Sequence, residues 1–271
     1  MQAKLETSVG CIGCGNMGGA ILAGLAEGGA YTLYGYDQDR ERLRPLISKG
    51  VRAVADINSL VRASSVVIVA LKPHLVVPVL REIAPCIKPD ALLVSVAAGI
   101  SLATLREALG GACAVARVMP NTPALVGSGL FALCLDDPAL NEAQKKLLVG
   151  LFSDIGMIIE LPDEKFNAFT AVFGAGPAYV FYMMQGLTQA AITLGFPAAD
   201  ATRLTCELFS GSAKLAQSSA AHTGELLDMV CSAGGVTICG INQLDRTGVK
   251  GHLVDAALAA FARGKELEKH D

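Results

Sequence analysis

From Thr7 to about Leu161 the chain alternates short apolar runs with stretches of helical spacing. Val9 to Ile12, Tyr31 to Tyr36, Val51 to Val54, Val66 to Ala70, Leu92 to Val96, Ala114 to Met119, Leu130 to Leu135 and Met157 to Glu160 read as strands. Between most of them lie helix-length segments: Asp39 to Lys49, His74 to Ile83, Leu102 to Leu109 and Asn141 to Asp154. Runs such as Val66 to Leu71 are continuously apolar rather than alternating, as in strands covered on both faces. The pattern predicts an α/β fold, a doubly wound and mostly parallel sheet, over residues 1–161.

After Leu161 the strand signal stops, and residues 162–271 read as an all-α domain. A long helix opens near Gly176 with Pro177 in its first turn and runs to Leu194; a second spans Ala198 to Gln217, and a short third lies around Gly224 to Val230. Two last helical stretches reach Lys269. Their apolar positions fall on more than one face, so each helix is expected to need partners from a second subunit: a dimerisation domain.

The first strand runs straight into Gly13-Cys14-Gly15-Asn16-Met17-Gly18, and a helical pattern follows at once. This is the strand, glycine turn and helix of a dinucleotide site in a Rossmann domain. Gly13 permits the tight turn, Gly15 lets a pyrophosphate approach the backbone, and Gly18 lets helix and strand pack closely. Asp37 ends the second strand 19 residues beyond Gly18, where an acid binds the adenosine ribose. A carboxylate there disfavours a 2'-phosphate, at about 4 kcal/mol per unit of like charge at 4 Å and an effective dielectric of about 20. Arg40 and Arg42 follow closely and would neutralise a 2'-phosphate if Asp37 turned away, so both NADH and NADPH stay open.

Other strand ends carry chemistry too. Ala70-Leu71-Lys72-Pro73-His74 places a lysine where the cofactor's ribose and nicotinamide would pass, and Ser95 to Gly99 offers small side chains for a flat ring to lie against. Arg117 to Pro123 is a loop stiffened by two prolines. A second glycine turn, Ser232-Ala233-Gly234-Gly235-Val236-Thr237, opens a helix in the second half. Successive backbone N–H groups at such a helix start trap a carboxylate, and Thr237 adds a hydroxyl.

Composition narrows this picture. The chain is 52% hydrophobic and only 17% charged, but no apolar run reaches the roughly 18 to 20 residues of a membrane span. A net charge of -3 without a basic cluster argues against nucleic acid as the main partner. Met1 to Glu6 is not the start of a long apolar leader, and eight cysteines on mostly apolar segments suit a reducing compartment, so a cytoplasmic protein is expected. Cys11 and Cys14 form a C-x-x-C, but with no second pair at zinc spacing; no metal site is expected.

Taken together, the stretches Ile12 to Gly19, Ala70 to His74, Ser95 to Gly99, Arg117 to Pro123, Gly174 to Tyr179 and Ser232 to Thr237 resemble those of pyrroline-5-carboxylate reductases, in order and spacing over essentially the whole chain. The resemblance implies hydride transfer from NADPH or NADH to the C=N of 1-pyrroline-5-carboxylate, giving L-proline, in a homodimer that in the family often joins larger rings of dimers. It implies that Ile12, Gly13, Cys14, Gly15, Asn16 and Met17 hold the pyrophosphate, Asp37 and Asn58 the adenosine, and Ala70, Leu71, Lys72 and Ala98 the nicotinamide half. Ser232, Gly234, Gly235, Val236 and Thr237 would bind the substrate carboxylate and ring, Thr237 facing the ring nitrogen, with an acid nearby at Asp163 or Glu164. Four positions depart from the family: Phe173 and Ala175 replace serines, Ala233 a proline and Met229 an asparagine of some members. Rival readings are an imine or beta-hydroxyacid-type reductase, for which only Lys165 and Lys214 could serve as the catalytic lysine, and a nucleotide-binding regulator without turnover. Under any of these, both glycine turns are expected to serve one cleft.

Overall fold

A computed structural model describes residues 7–269. The reading of Met1 to Glu6 lies outside them. The strands are β1 (Ser8–Ile12), β2 (Thr32–Tyr36), β3 (Arg52–Ala53), β4 (Val66–Val69), β5 (Leu92–Ser95), β6 (Ala114–Pro120), β7 (Gly129–Cys134) and β8 (Gly156–Glu160). They form one sheet in the order β3-β2-β1-β4-β5-β6-β7-β8. Every pairing is parallel except β6 with β7, which a short loop containing Gly127 at φ 69° turns back antiparallel. The order reverses between β1 and β4, and it is beyond the carboxyl ends of the strands at such a switch point that doubly wound sheets bind ligands.

The helices of this part are α1 (Asn16–Gly28), α2 (Arg44–Ile47), α3 (Ile57–Ala63), α4 (Pro73–Ile83), α5 (Leu102–Ala108), α6 (Glu142–Ser153) and α7 (Phe166–Phe169). They cover both faces of the sheet. In β4, Val66 and Ile68 enter one core layer with Ile21, Leu22, Leu25 and Phe152, while Val67 and Val69 enter the other with Leu80, Ile83 and Leu105. That double burial is why the strand reads as an unbroken apolar run.

Two helical expectations change. The segment 39–49 is a 3-10 turn, Arg40–Leu43, followed by only four helical residues, because Asp39 caps the turn by accepting from the Glu41 amide and Pro45 starts the helix afresh. Helix α3 was not anticipated; Asp56 caps it, accepting the Ser59 amide at 2.8 Å.

By its contacts the chain divides into Met1–Ala175 with Ala260–Asp271, and Gly176–Ala259. The sheet unit therefore extends past Leu161, where strand signal ends, because Phe166 and Phe169 are buried in the second core layer. The helical unit contains α8 (Gly176–Thr193), α9 (Ala198–Ser218), α10 (Thr223–Val230) and α11 (Val236–Arg246); α12 (Val249–Lys269) begins in it and ends in the sheet unit. Among its described residues only Ala201 and Thr205 are buried, whereas Val180, Phe181, Tyr182, Leu187, Leu208 and Val254 are exposed. No described helix is long and apolar enough to cross a membrane.

Candidate active site

The first glycine turn is fixed from three sides. Gly13 donates its N–H to the Tyr36 carbonyl at 2.8 Å, and Ala70 donates to Ile12 at 2.9 Å, so the ends of β2 and β4 grip the end of β1. Gly13 sits at φ +93°, and a Cβ there would lie 2.5 Å from the Ala70 oxygen. A Cβ on Gly18 would run into the Gly13 carbonyl. Gly13 and Gly18 thus let turn, strand and helix pack closely, while a Cβ on Gly15 would meet only Arg42 Nη1, at 3.1 Å. Helix α1 starts from Gly15 with no side-chain cap, so its first N–H groups point outward unanswered.

Asp37 closes this turn. Its Oδ2 accepts the Cys14 amide at 2.8 Å, its Oδ1 accepts the Asp39 amide at 2.9 Å, and Arg42 Nη1 lies 3.8 Å from Oδ2. Cys11 and Cys14 are buried beneath the turn as free thiols, and a hydrogen bond with Cys14 together with burial pushes the Cys11 thiol well above its ordinary pKa. A buried protonated thiol is a poor nucleophile. At the start of α3, Asn58 presents a buried Oδ1 with no hydrogen-bond partner among the described residues, an acceptor left for a donor such as a nucleoside hydroxyl or amino group.

Along the same carboxyl edge, Leu71 approaches Gly13, and Lys72 is the exposed N-cap of α4 ahead of Pro73. Ala98 and Gly99, at φ +78°, follow β5; Leu267 of α12 lies 3.6 Å from where a Gly99 Cβ would stand. Asn121, 5% exposed, donates to the Phe173 carbonyl at 3.2 Å and accepts the Leu130 amide, tying the β6–β7 loop to the π-helical turn Thr170–Gly174. Phe173 packs on Phe169 with ring centroids 5.3 Å apart, an aromatic contact at the serine position of the family.

The structure separates the two acids that sequence left paired. Asp163 Oδ1 is 2.5 Å from Arg117 Nη1, and its Oδ2 accepts the Leu102 amide at 3.1 Å. Arg117 is 4% exposed and lies over the Phe166 ring at 4.6 Å. Asp163 is thus committed to the joint where the sheet ends; Glu164 is exposed. Sequence reasoning missed this ion pair, because nothing local links residues 46 apart.

The second turn belongs to the helical unit and is built differently. Gly234 sits at φ +68° with open space around it, while Ser232 Oγ fills the place a Gly235 Cβ would take. Gly235 donates to the Ser232 carbonyl at 3.1 Å and opens α11 with no side-chain cap and no acid in its first turn. Helices α3, α5, α6 and α10 have side-chain caps; α4 and α9 have none, but they start from Lys72 and Pro197 and not from glycine. In α11 the N–H groups stay free beside the exposed Val236 and Thr237. Ala233 and Met229 are also exposed.

A doubly wound sheet with a glycine turn at its switch point, followed by a helical unit with a second glycine turn, is the build of a nicotinamide-dinucleotide oxidoreductase. Residues 163–267 match the family model for pyrroline-5-carboxylate reductase dimerisation, and residues 8–99 that for coenzyme F420-dependent NADP oxidoreductases. The pyrroline-5-carboxylate reductase of Pisum sativum is 36% identical over 96% of both chains, and that of Escherichia coli K12 is 32% identical over 98% of this chain and 100% of its own. The solved pyrroline carboxylate reductase of Plasmodium falciparum, with NADP bound, superposes with a TM-score of 0.89 at 27% identity, covering 98% and 99% of the two chains. This chain belongs to the pyrroline-5-carboxylate reductase family.

Proposed function

We propose that the two uncapped glycine turns divide the reaction between them, the turn Gly13 to Gly18 receiving the cofactor pyrophosphate and the turn Ser232 to Thr237 the substrate carboxylate. The chain is an NAD(P)H-dependent oxidoreductase acting on a cyclic imine, the reductase that forms L-proline from 1-pyrroline-5-carboxylate. The observation that carries the division is shared by α1 and α11: each opens on glycine with no side-chain cap, leaving N–H groups for an anion.

The turn fits a dinucleotide, since Gly15 leaves the uncapped start of α1 open to a pyrophosphate, Gly13 and Gly18 hold the turn tight beneath it, and Asn58 offers an unanswered acceptor. Ile12, Cys14, Asn16 and Met17 complete the turn, Asp37 and Asn58 serve the adenosine, and Ala70, Leu71, Lys72 and Ala98 flank the nicotinamide half. When bound, the reduced nicotinamide supplies a hydride to the imine carbon. Gly234, Gly235 and Val236 hold the substrate carboxylate with their backbone amides, and Ser232 supports the turn. Thr237 Oγ1 faces the ring nitrogen and accepts a hydrogen bond from its N–H. A protonated imine is already electrophilic, so orientation and charge placement carry the rate and no strong base is required. Of the paired acids, Glu164 is the one free to face substrate.

Residues 162–271 serve as the dimerisation and substrate domain beside the dinucleotide domain 1–161, the exposed faces of α8 and α9 pairing with a second copy, and the dimers assemble into a ring. The setting is cytoplasmic, with neither membrane nor nucleic acid as partner. The test is oxidation of NADH or NADPH in the presence of 1-pyrroline-5-carboxylate. Turnover to proline is expected; cofactor binding without oxidation would instead identify a regulator that keeps only the fold.

A further inference from the structure

We infer that this chain selects NADH over NADPH, and that Asp37 makes the selection while it holds the glycine turn shut. The inference rests on the reading of the first turn as the dinucleotide site. A carboxylate at the end of β2 excludes a 2'-phosphate only if it cannot swing aside. Here it is held at both oxygens: Oδ2 by the Cys14 amide at 2.8 Å, Oδ1 by the Asp39 amide at 2.9 Å, with the side chain 10% exposed. Each oxygen keeps a lone pair for a ribose hydroxyl, a donor; the oxygens of a 2'-phosphate have no proton to give and meet a fixed negative charge. Turning Asp37 away would break the bond that shapes the turn, so accommodating the extra phosphate strains the cradle for the pyrophosphate as well.

The arginines do not reverse this. Arg42 lies between two carboxylates, Nη1 3.8 Å from Asp37 and Nε 3.4 Å from Asp39, and Arg44 pairs with Glu41 at 2.8 Å. Among the described residues Arg40 is in no ion pair; it lines a cavity of about 330 Å³ with Leu43, Ile47 and Val54 beside β3. One cation remains to answer a doubly charged group.

The test compares, for NADH and NADPH, the Kd from nicotinamide fluorescence titration and kcat/KM at saturating 1-pyrroline-5-carboxylate, both of which should show the same preference. Wild type is expected to favour NADH by about tenfold or more. Asp37→Asn removes the charge and keeps the shape; whatever it does to both cofactors through a looser turn, it should lower the NADH/NADPH ratio by about tenfold. Arg40→Ala should raise that ratio, by removing the cation left to a 2'-phosphate. A wild type that uses NADPH better, or an Asp37→Asn ratio that does not move, overturns the inference alone. Activity with neither cofactor overturns the functional reading and the inference with it.

Discussion

The sheet unit carries its own core, and the helical unit does not. In the first, β4 and β5 are buried to the last residue, and even Arg117 and Asp137 are enclosed with partners, Asp137 accepting the Val115 amide at 2.8 Å and pairing with Arg106 at 2.7 Å. In the second, α8 runs 18 residues without one buried side chain. A helix of that length with Phe181 and Tyr182 58% and 78% exposed is stable only when something covers it. The lesson concerns where each site draws its precision. The turn Gly13 to Gly18 is gripped by two neighbouring strands, whereas the turn Ser232 to Thr237 sits among helices whose apolar faces are exposed.

The comparison breaks most readily at the helical faces. Phe181→Asp puts a charge on the surface assigned to the partner, at about 4 kcal/mol or more against association. Sedimentation should show monomers, with proline formation lost and the sheet unit still folded. The exposed Cys206, which lines the groove between α8 and α9, should be slow to label in wild type and fast in this variant.

The turns themselves respond next. Gly18→Ala drives a methyl into the Gly13 carbonyl, a backbone collision that should cost about 3 kcal/mol and abolish the fluorescence enhancement of bound NADH. Gly234→Ala meets open space and pays only for its positive φ, about 1 kcal/mol, so substrate KM should rise modestly while cofactor binding is unchanged. Between these falls Arg117→Met. It leaves Asp163, 30% exposed, without its cation and should lower stability of the sheet unit by about 2 kcal/mol, read as a reduced Tm.

The smallest effect is alkaline. Burial pushes the Cys113 thiol up to about 11 and the Cys134 thiol up to about 12 from an ordinary value of 9. The folded state favours the protonated thiols, so their contribution is complete below pH 9 and lost as pH rises through 11 to 12. Denaturant midpoints measured across that range should fall, and Cys113→Ala with Cys134→Ala should flatten the decline.

The strands were legible because most are apolar runs closed by polar or glycine residues, with β3, the exposed pair Arg52–Ala53, marked only by Val51 and Val54 beside it, and the five helices α8 to α12 because glycine and proline punctuate them. What was not legible depends on distance in sequence. The antiparallel β6–β7 pair, the Arg117–Asp163 ion pair and the Cys14 amide that holds Asp37 join residues that no local pattern relates. Helix α3 escaped notice for a different reason: seven residues are too few for periodicity, and its only mark was the cap at Asp56. Sequence offered Asp163 and Glu164 as equals; the structure pairs Asp163 with Arg117 and leaves Glu164 exposed.

The claim that the second turn handles substrate and the first handles cofactor is tested most directly by Thr237→Ala. NADH fluorescence titration should give the wild-type Kd, while kcat/KM for 1-pyrroline-5-carboxylate falls by about tenfold or more for the lost hydrogen bond to the ring nitrogen. A variant as fast as wild type, or one that loses NADH binding along with turnover, would contradict it.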